Sequence, residues 1–366
     1  MAIDFADGFE FYAADGASAD SLMANRYDIT KVNGFTQDQI FATSGRYSGL
    51  GIKFGDNVNN GGVRAAIPTS DHNPSDGQIC RYFFNYRFPG SGSTSHEAYF
   101  TNNDVDNTSP SIGLYFRYDG QIYYLDNTTT DVSTDNLVID HGSSDTTWHS
   151  MCFEITWGAT SAVVILIDGV VVQTYSNKTI PSYTQVGFQE RRNNLDTASH
   201  MSFDDLIVSR DDGGAFSFRP IDGSRVSVVS PESDTAQADF TSTAATGAET
   251  LDDAPISDSD YITSDAASEQ SNFNMTDLTL ESGLDMVGMI MHTRANNQEA
   301  LNLLNYQMYM DDAVNTAALI GSQQVPPTGS FGSATQSFYN TNPLSGAAWT
   351  QTELNGLIIG VQSQTP

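Results

Sequence analysis

The chain of 366 residues carries 45 acidic and 15 basic side chains, which gives a formal net charge of −30. A surface this acidic repels phosphate backbones and anionic lipids, so the composition argues against sequence-independent nucleic-acid binding and disfavours membrane surfaces. The 30 glycines and the many Ser, Thr, Asn and Asp residues favour short strands and turns over helices.

No segment of the sequence predicts export or membrane insertion. No run approaches the ~18 consecutive apolar residues of a membrane-spanning helix. The first residues, MAIDFADGFEFYAADG, carry acids where a secretory signal has a basic start and an apolar run. We therefore expect synthesis in a cytoplasm without a signal peptide, with no membrane insertion and no nucleic-acid partner.

The first half of the chain alternates apolar and polar residues with the period of a β-strand. In CRYFFNYRF, every second residue from Cys80 to Phe88 is apolar or aromatic. In WHSMCFEITW, the same spacing places Met151, Phe153, Ile155 and Trp157 on one face. Each pattern predicts a strand with one face in a core.

Two Asp-Gly dipeptides, Asp119-Gly120 and Asp168-Gly169, separate apolar runs and predict β-hairpins. A two-residue type I′ turn needs positive φ at both positions, which Asp-Gly tolerates well. The second dipeptide lies in VVILIDGVVVQTY, Val163–Tyr175, where both strand faces are apolar. We expect this hairpin at the centre of a two-layer sandwich, which makes it a poor place for an active site.

These hairpins, together with a strand at Asp205–Arg210, predict an all-β fold with a jelly-roll sandwich over residues 1–212. A shift toward Pro, Gly and Ser then predicts a connector over residues 213–236, with one short strand at Arg225–Val229. Residues 237–366 are predicted to form a second, smaller β-sandwich.

Two segments of the second predicted domain have a distinctive pattern. The near-continuous apolar run MVGMIM at 286–291 predicts a strand buried on both faces. In TQTELNGL, Thr350 and Glu353 have the spacing of a capping box, which predicts one short helix.

The sequence shows no nucleophilic centre. It has no G-x-S-x-G elbow, and its six histidines are scattered singly. His149 is interpreted as a strand-edge histidine, and Cys152 lies three positions further along the strand, so their side chains point to opposite faces. Cys80 and Cys152 are interpreted as small buried apolar residues without a disulfide framework.

Paired carboxylates of a glycosidase are also missing. The E-x-D-x-E strand of concanavalin-like glucanases does not occur. The adjacent Asp204 and Asp205 face opposite ways in an ideal strand, so we interpret them as a turn or strand-edge feature. The sequence thus predicts no catalytic residues and no enzymatic activity.

Two loops gather oxygen ligands and are weak candidates for calcium. SDHNPSD supplies Asp71 and Asp76, and NNDVDNTS supplies Asp104 and Asp106. Calcium takes six to eight oxygen ligands, and neither loop has the D-x-[DN]-x-[DN]-G spacing of an EF-hand. Ordinary Asx-turn chemistry is the default interpretation, and no other cofactor is predicted.

The segment WHSMCFEITWGATSAVVILIDGVVVQTY, Trp148–Tyr175, resembles the concanavalin A-like or laminin G-like jelly-roll family. In that family a Trp-His opens a strand, a following strand ends in Asp-Gly, and the return strand is rich in valine. The strands before and after this segment fit the same order. The resemblance covers roughly residues 1–212 and implies the jelly-roll fold.

The C-terminal part resembles a group of uncharacterised virion proteins of tailed bacteriophages. The resemblance rests on FDDLIVSRDD, a short connector strand, and the closing pattern P-x-x-G-x-x-W-T-x-x-x-[LV]-N. In this sequence the closing pattern is matched by six residues: Pro343, Gly346, Trp349, Thr350, Leu354 and Asn355. The Met-rich segment MVGMIMHTRANNQEALNLL departs from the group, where a more basic strand is expected.

The resemblance implies a non-enzymatic structural protein of the virion, a tail- or capsid-associated accessory such as a fibre or decoration component. Its partners would be other virion proteins and further copies of itself. The alternative is a carbohydrate-binding module that recognises a host surface glycan, with residues that the sequence does not identify. A third hypothesis, a glycan-degrading enzyme, is disfavoured by the missing acidic strand.

Aromatic residues allow a test of the carbohydrate alternative. Four tyrosines on predicted strands have the chemistry to stack on sugar rings: Tyr115, Tyr123, Tyr124 and Tyr306. Rings at alternating strand positions belong more often to a core, and we interpret these tyrosines as core residues.

Overall fold

The chain is described from a computed structural model that is almost entirely β-structure. The structure describes residues 2–9, 27–32, 40–46, 50–54, 62–69, 71–89, 96–102, 112–117, 119–125, 136–158, 161–178, 185–192, 201–211, 224–227, 229–251, 259–280, 285–297, 304–329, 331 and 335–366. It contains two compact units, and the division falls between Val226 and Ser227. The predicted boundaries at 212 and 236 stay predictions.

The first unit is a jelly-roll sandwich of two antiparallel sheets. Its strands are β1 (Ala2–Asp7), β2 (Asp28–Val32), β3 (Ile40–Ser44), β4 (Leu50–Phe54), β5 (Gly62–Ala66), β6 (Ile79–Arg87), β7 (His96–Thr101), β8 (Gly113–Arg117), β9 (Gln121–Leu125), β10 (Leu137–Asp140), β11 (Trp148–Thr156), β12 (Ser161–Ile167), β13 (Val170–Lys178), β14 (Gly187–Arg192) and β15 (Ser202–Asp211). Sheet A runs β13-β12-β11-β6-β15-β4-β3, with β1 also paired to β15. Sheet B runs β10-β9-β8-β7-β14-β5-β2.

The core of this unit fills the space between the two sheets, and the predicted strand faces supply it. The alternate residues of β6 and the following Phe88, and the apolar face from Met151 to Trp157, are buried there as predicted. Sheet B contributes Leu114, Phe116 and Phe188. Burial of apolar rings on both inner faces is the main favourable term in holding the layers together.

Both Asp-Gly dipeptides lie between paired antiparallel strands. Asp168 and Gly169 have φ of 49° and 76°, as a type I′ turn requires, and Ile167 pairs directly with Val170. The first connection is one residue longer, because Phe116 pairs with Ile122 and β8 ends at Arg117 before β9 begins at Gln121.

The position predicted for the second hairpin is wrong. β13 is the edge strand of sheet A, and β12 is its neighbour in the sheet. Val163, Ile165 and Ile167 enter the core, while Val170 and Val171 are exposed at 64% and 50%. The apolar run therefore reflects one core strand followed by an edge strand that leaves valines in solvent.

The second unit is built from smaller sheets. Its elements are β16 (Pro231–Ala238), β17 (Thr241–Ser242), a helix at Gly247–Leu251, β18 (Ile262–Thr263), β19 (Gln270–Met275), β20 (Met289–Thr293), β21 (Asn305–Asp311), β22 (Ala318–Gln324), β23 (Thr335–Tyr339), a helix at Gln351–Asn355 and β24 (Ile358–Gln364). A five-stranded sheet runs β16-β19-β24-β21-β22, and β17-β18 and β20-β23 form two-stranded sheets. The described residues of the predicted strand Arg225–Val229, which are 225–227 and 229, form no strand.

The core of the second unit joins the β20-β23 pair to the five-stranded sheet and to the C-terminal helix. It contains Met289, Met291, Met310, Ile320, Trp349, Leu354 and Leu357. The prediction that β20 is buried on both faces is wrong, because Ile290 between the two buried methionines stays half-buried. The predicted capping box is confirmed: Thr350 and Glu353 exchange both hydrogen bonds at the helix start.

The C-terminal residues that match the phage pattern have a structural explanation. Asn342 closes a loop by accepting the backbone N–H of Gly346, which has a φ of 71°. Buried Asp312 accepts the side-chain amide of Asn342 and the backbone N–H groups of Val314 and Asn315. Burial opposes ionisation of Asp312, but these hydrogen bonds outweigh it and lower its pKa. Of the pattern residues, Gly346 thus closes this loop, Thr350 caps the following helix, and Trp349 and Leu354 pack in the core.

The turn at Gly169 supplies a test of the hairpin. We expect Gly169→Val to destabilise the first unit by roughly 1–3 kcal/mol, because a β-branched residue is strained at positive φ. Val171→Thr, two residues away on exposed extended backbone, is the matched control and should leave stability unchanged. Thermal unfolding of both variants measures the difference, and equal melting temperatures would contradict the turn.

Candidate functional site

Two clusters of ionisable groups stand out in the first unit. The first is Asp204 and Asp205, on the interior strand β15. There β15 pairs with β6 on one side, and on the other with β4 and then β1. Asp204 pairs with Asn85 and Ile207 with Phe83, so β15 carries one extra residue, and Asp205 has a φ of 53°. This is a β-bulge, and the predicted turn or strand-edge interpretation is wrong.

The bulge directs both carboxylates toward a buried polar network. Asp204 is 3% exposed and Asp205 is 2% exposed. The backbone N–H groups of Arg46 and Asp205 donate to Asp204 at 2.7 and 2.9 Å. Asp205 accepts the amide of Asn85 at 2.8 Å and the backbone N–H of Val226 at 2.7 Å. The Arg46 guanidinium in turn donates to Oδ1 of the Asn85 side chain at 2.7 Å.

Burial and mutual repulsion make this pair hard to ionise twice. Burial, followed by the charge of Asp205, raises the pKa of Asp204 to about 8. Burial also raises the pKa of Asp205 to about 6, against the hydrogen bonds from Val226 and Asn85. Because both carboxyl groups are covered and already hydrogen-bonded, their role is to hold β15 and β6 together with the backbone at Arg46 and Val226.

The second cluster lies at one end of the sandwich, and we call it the rim cluster: His141, Asp145, His149 and Asp168. His141 follows β10, His149 is the second residue of β11, and Asp168 is the first residue of the β12–β13 turn. The loop between β10 and β11 is held by the backbone N–H of His141, which donates to the Gly120 carbonyl oxygen at 3.0 Å.

His149 lies between two carboxylates. Its Nδ1 is 2.7 Å from Oδ2 of Asp168, and its Nε2 is 2.9 Å from Oδ2 of Asp145. Asp168 is itself fixed by the backbone N–H of Ser150 at 2.8 Å, and Asp145 by the N–H and hydroxyl of Thr147. His149 is therefore the centre of a polar site rather than the isolated strand-edge histidine that the sequence predicts.

His141 completes the cluster from the opposite side. Its ring stacks on that of His149 with centroids 4.0 Å apart, and its Nδ1 lies 3.6 Å from Oδ2 of Asp145. Its Nε2 is 2.8 Å from the hydroxyl of Tyr86, which is a buried core residue. The core ring of Tyr86 thus sets the position of a side chain at the rim.

The charges of the rim cluster suit a cation. Burial and the neighbouring His149 lower the pKa of His141, so its ring stays neutral at neutral pH. Burial opposes ionisation of Asp145, but hydrogen bonds from Thr147 and His149 outweigh it and lower its pKa to about 2. One ligand atom from each of His141, Asp145 and His149 lies within 4.8 Å of the others.

Of the two predicted calcium loops, the described one, with Asp71 and Asp76, does not form such a group. Asp71 and Asp76 are described and lie at the opposite end of the sandwich, where Gly77 donates to the Trp157 carbonyl oxygen. Asp104 and Asp106 lie outside the described residues. Within the part of the chain that the structure describes, His141, Asp145 and His149 of the rim cluster are the only set of three His, Cys, Asp or Glu ligands with metal spacing.

The remaining predicted residues are structural. Cys80 and Cys152 are buried and form no disulfide, and burial raises the pKa of the Cys80 thiol to about 12, which suppresses the thiolate. The candidate sugar-stacking tyrosines 115, 123, 124 and 306 are all buried, in agreement with their interpretation as core. In the sequence, three residues of the rim cluster have the spacing His-x-x-x-Asp-x-x-x-His. The sequence did not lead to a predicted site here, because each histidine was interpreted singly.

Comparison with known proteins finds distant structural likenesses. No protein family matches the chain, and no curated protein does. Among solved structures it is similar to a protein of unknown function from Shewanella oneidensis MR-1, with 12% identity, 58% of this chain and 88% of the other covered, and a TM-score of 0.41. Alginate lyase Aly36B is 16% identical, with 56% and 95% covered and a TM-score of 0.38. The carbohydrate recognition domain of Emp46p, in a metal-free form, is 8% identical, with 56% and 95% covered and a TM-score of 0.37.

These likenesses concern the concanavalin A-like fold alone, because the identities and TM-scores are low. They also correct one prediction. The chain was expected to have no enzymatic activity because the known catalytic spacings are missing from its sequence. That prediction is wrong, since the similar structures include a lyase and the absence of those spacings does not exclude catalysis.

No helix among the described residues has the length and apolar character needed to cross a membrane.

The pH dependence of stability tests the buried carboxylate pair. Both pKa values lie above the ordinary 3.8, so the folded chain holds protons that the unfolded chain has released. The pair's contribution to stability is therefore fully present below about pH 4 and is lost as the pH rises through about 6 to about 8. We expect Asp204→Asn to reduce that decline by at least about 1 kcal/mol, measured by urea unfolding across this range.

Asp76→Asn serves as the control for this experiment, because it removes one exposed carboxylate from the same unit without touching the pair. It corrects for the general effect of the large negative charge on stability. An identical pH profile in wild type and Asp204→Asn would show that the pair ionises normally.

Proposed function

We propose that the chain is a component of a tailed-bacteriophage virion and that its jelly roll recognises a glycan on the host surface. The proposal of glycan recognition is supported mainly by one surface, formed by residues 141–149 and 168–171, which we call the rim surface. It combines fixed hydrogen-bonding groups with exposed hydroxyls and a small apolar patch at one end of the sandwich.

The polar part of the rim surface is pre-organised. The carboxylates of Asp145 and Asp168 are each held by a backbone N–H donor, from Thr147 and Ser150. Sugar hydroxyls are recognised by acceptors and donors held at fixed positions, and a site that is already ordered loses less entropy on binding. Ser143 and Ser144 beside the cluster are exposed and add hydroxyl groups.

The apolar part lies next to the polar part along the chain. Val170 and Val171 follow the Asp168-Gly169 turn and are exposed at 64% and 50%. Contact with an apolar patch buries the C–H face of a sugar ring, while the polar groups fix its orientation. Loops at the end of a rigid sandwich are a common position for recognition.

The virion assignment rests on other grounds. It is supported by the likeness of the 343–355 segment to phage virion proteins and by the net charge of −30, which keeps the chain away from packaged DNA. Assembly with other virion proteins and with further copies of the chain belongs to this proposal, as does location in the particle after synthesis in the host cytoplasm.

Glycan binding is tested on an array of bacterial surface polysaccharides. We expect wild type to bind at least one glycan and Ser144→Arg to lose at least tenfold in affinity, because the long side chain covers the rim surface without replacing a cluster residue. Ser75→Arg adds the same side chain at the opposite end of the sandwich and should bind like wild type. Depolymerisation of the bound glycan is measured in the same samples.

Particle location is tested separately. We expect mass spectrometry of purified particles from the phage that encodes the chain to find it, and a density map to show the jelly roll on the outer surface. Absence of the chain from washed particles would exclude the virion role and leave glycan recognition to be judged by the array.

A further inference from the structure

We propose that His141, Asp145 and His149 form a binding site for a divalent transition-metal ion of the zinc class, with one coordination position open to solvent. The inference does not depend on glycan binding or on a virion location. It rests on the positions of three ligand atoms, on the partners of the two outer ring nitrogens, and on the choice of ligand types.

The three ligand atoms lie close together, within 4.8 Å of one another. Oδ2 of Asp145 is 2.9 Å from Nε2 of His149 and 3.6 Å from Nδ1 of His141. In a tetrahedral zinc site with bonds of about 2.0–2.1 Å, ligand atoms lie about 3.3 Å from one another. These two distances bracket that value, and the two histidine ligand atoms lie within 4.8 Å of each other. We infer that rotations of the side chains bring all three atoms into coordination geometry.

The outer nitrogens of both rings have the partners that such a site uses. Nδ1 of His149 faces the carboxylate of Asp168 at 2.7 Å, and Nε2 of His141 faces the hydroxyl of Tyr86 at 2.8 Å. A metal-bound histidine donates its other N–H to a carboxylate or another acceptor, which fixes its tautomer and orientation. Both inner nitrogens are then left with lone pairs directed toward Asp145.

Electrostatics also call for a cation at this point. Two carboxylates, Asp168 and Asp145, lie 2.7 and 2.9 Å from the two ring nitrogens of His149. The ring of His141 stacks on that of His149 with centroids 4.0 Å apart, so both imidazoles lie beside the same acidic group, Asp145. One divalent ion between neutral rings balances the negative charges of Asp145 and Asp168.

The ligand set selects the class of metal. Two imidazole nitrogens and one carboxylate suit zinc, copper, nickel or cobalt, whereas calcium and magnesium prefer sites made of oxygen. The side chains are partly open, with 8% of His141, 14% of His149 and 21% of Asp145 exposed. An incoming ion therefore has a path to the ligands, and a water molecule or a ligand oxygen has room at the fourth position.

The test is a titration of the full chain after treatment with a chelator. We expect calorimetry to show one Zn²⁺ per chain, and Co²⁺ to give the visible absorption of a tetrahedral site. Calcium and magnesium should bind at least a hundredfold more weakly. Asp145→Asn should weaken zinc binding at least tenfold, and Asp168→Asn by about 10–100-fold, because it removes only the partner of His149.

Asp140→Asn is the matched control, since Asp140 lies next to His141 in the chain but bonds to Gln121 and Gly142 instead of the cluster. It should bind zinc like wild type. Circular dichroism checks that each variant is folded. The proposal is overturned if wild type binds no zinc, or if Asp145→Asn and Asp168→Asn both bind as tightly as Asp140→Asn. Because the titration contains no glycan, its outcome is independent of the array.

Discussion

The structure of the first unit depends on the packing of one ring, Phe84, between the two sheets. It contacts Phe100 and Phe188 of sheet B with centroids 4.8 and 5.1 Å apart, and Phe203 on the neighbouring strand β15 at 5.9 Å. Edge-to-face and tilted aromatic pairs of this kind add about 0.5–1.5 kcal/mol each to the free energy gained from buried area. The contacts fix the separation of the layers and the register of β6 against β15.

That register determines where the functional side chains lie. Tyr86 is two residues beyond Phe84 on the same face of β6, and its hydroxyl reaches His141 at the open end of the sandwich. On the opposite face of β6, Asn85 binds Asp205 in the bulge of β15. One strand therefore supports both polar clusters, and a shift of β6 by one residue would exchange the two faces and destroy both.

The sequence predicted the parts of the fold that follow local rules. The alternation of apolar and polar residues identified the core faces of β6 and β11. Asp168-Gly169 identified a turn, because few residue types other than Asn, Asp and Gly adopt the positive φ that both positions of a type I′ turn need. Edge position was not predictable, since apolar valines in β13 look the same whether a neighbour covers them or not. The bulge at Asp205 was missed because alternation assumes an ideal strand.

The rim cluster could not be predicted from the sequence, for a different reason. His141 and His149 are eight residues apart with a loop between them, and Asp168 comes from another hairpin. Their proximity follows from the pairing of β11 with β12 and from the position of β10, and neither pairing is encoded locally. The absence of known catalytic spacings was likewise a weak argument, because a fold of this class brings distant residues together.

The pairing of β1 with β15 has a consequence for the integrity of sheet A. β4 covers β15 only at Ser202 and Phe203, and β1 pairs with it from Leu206 to Arg210. The first strand of the jelly roll therefore covers the edge of its last strand. Loss of β1 would leave the hydrogen-bonding groups of that edge open to another strand.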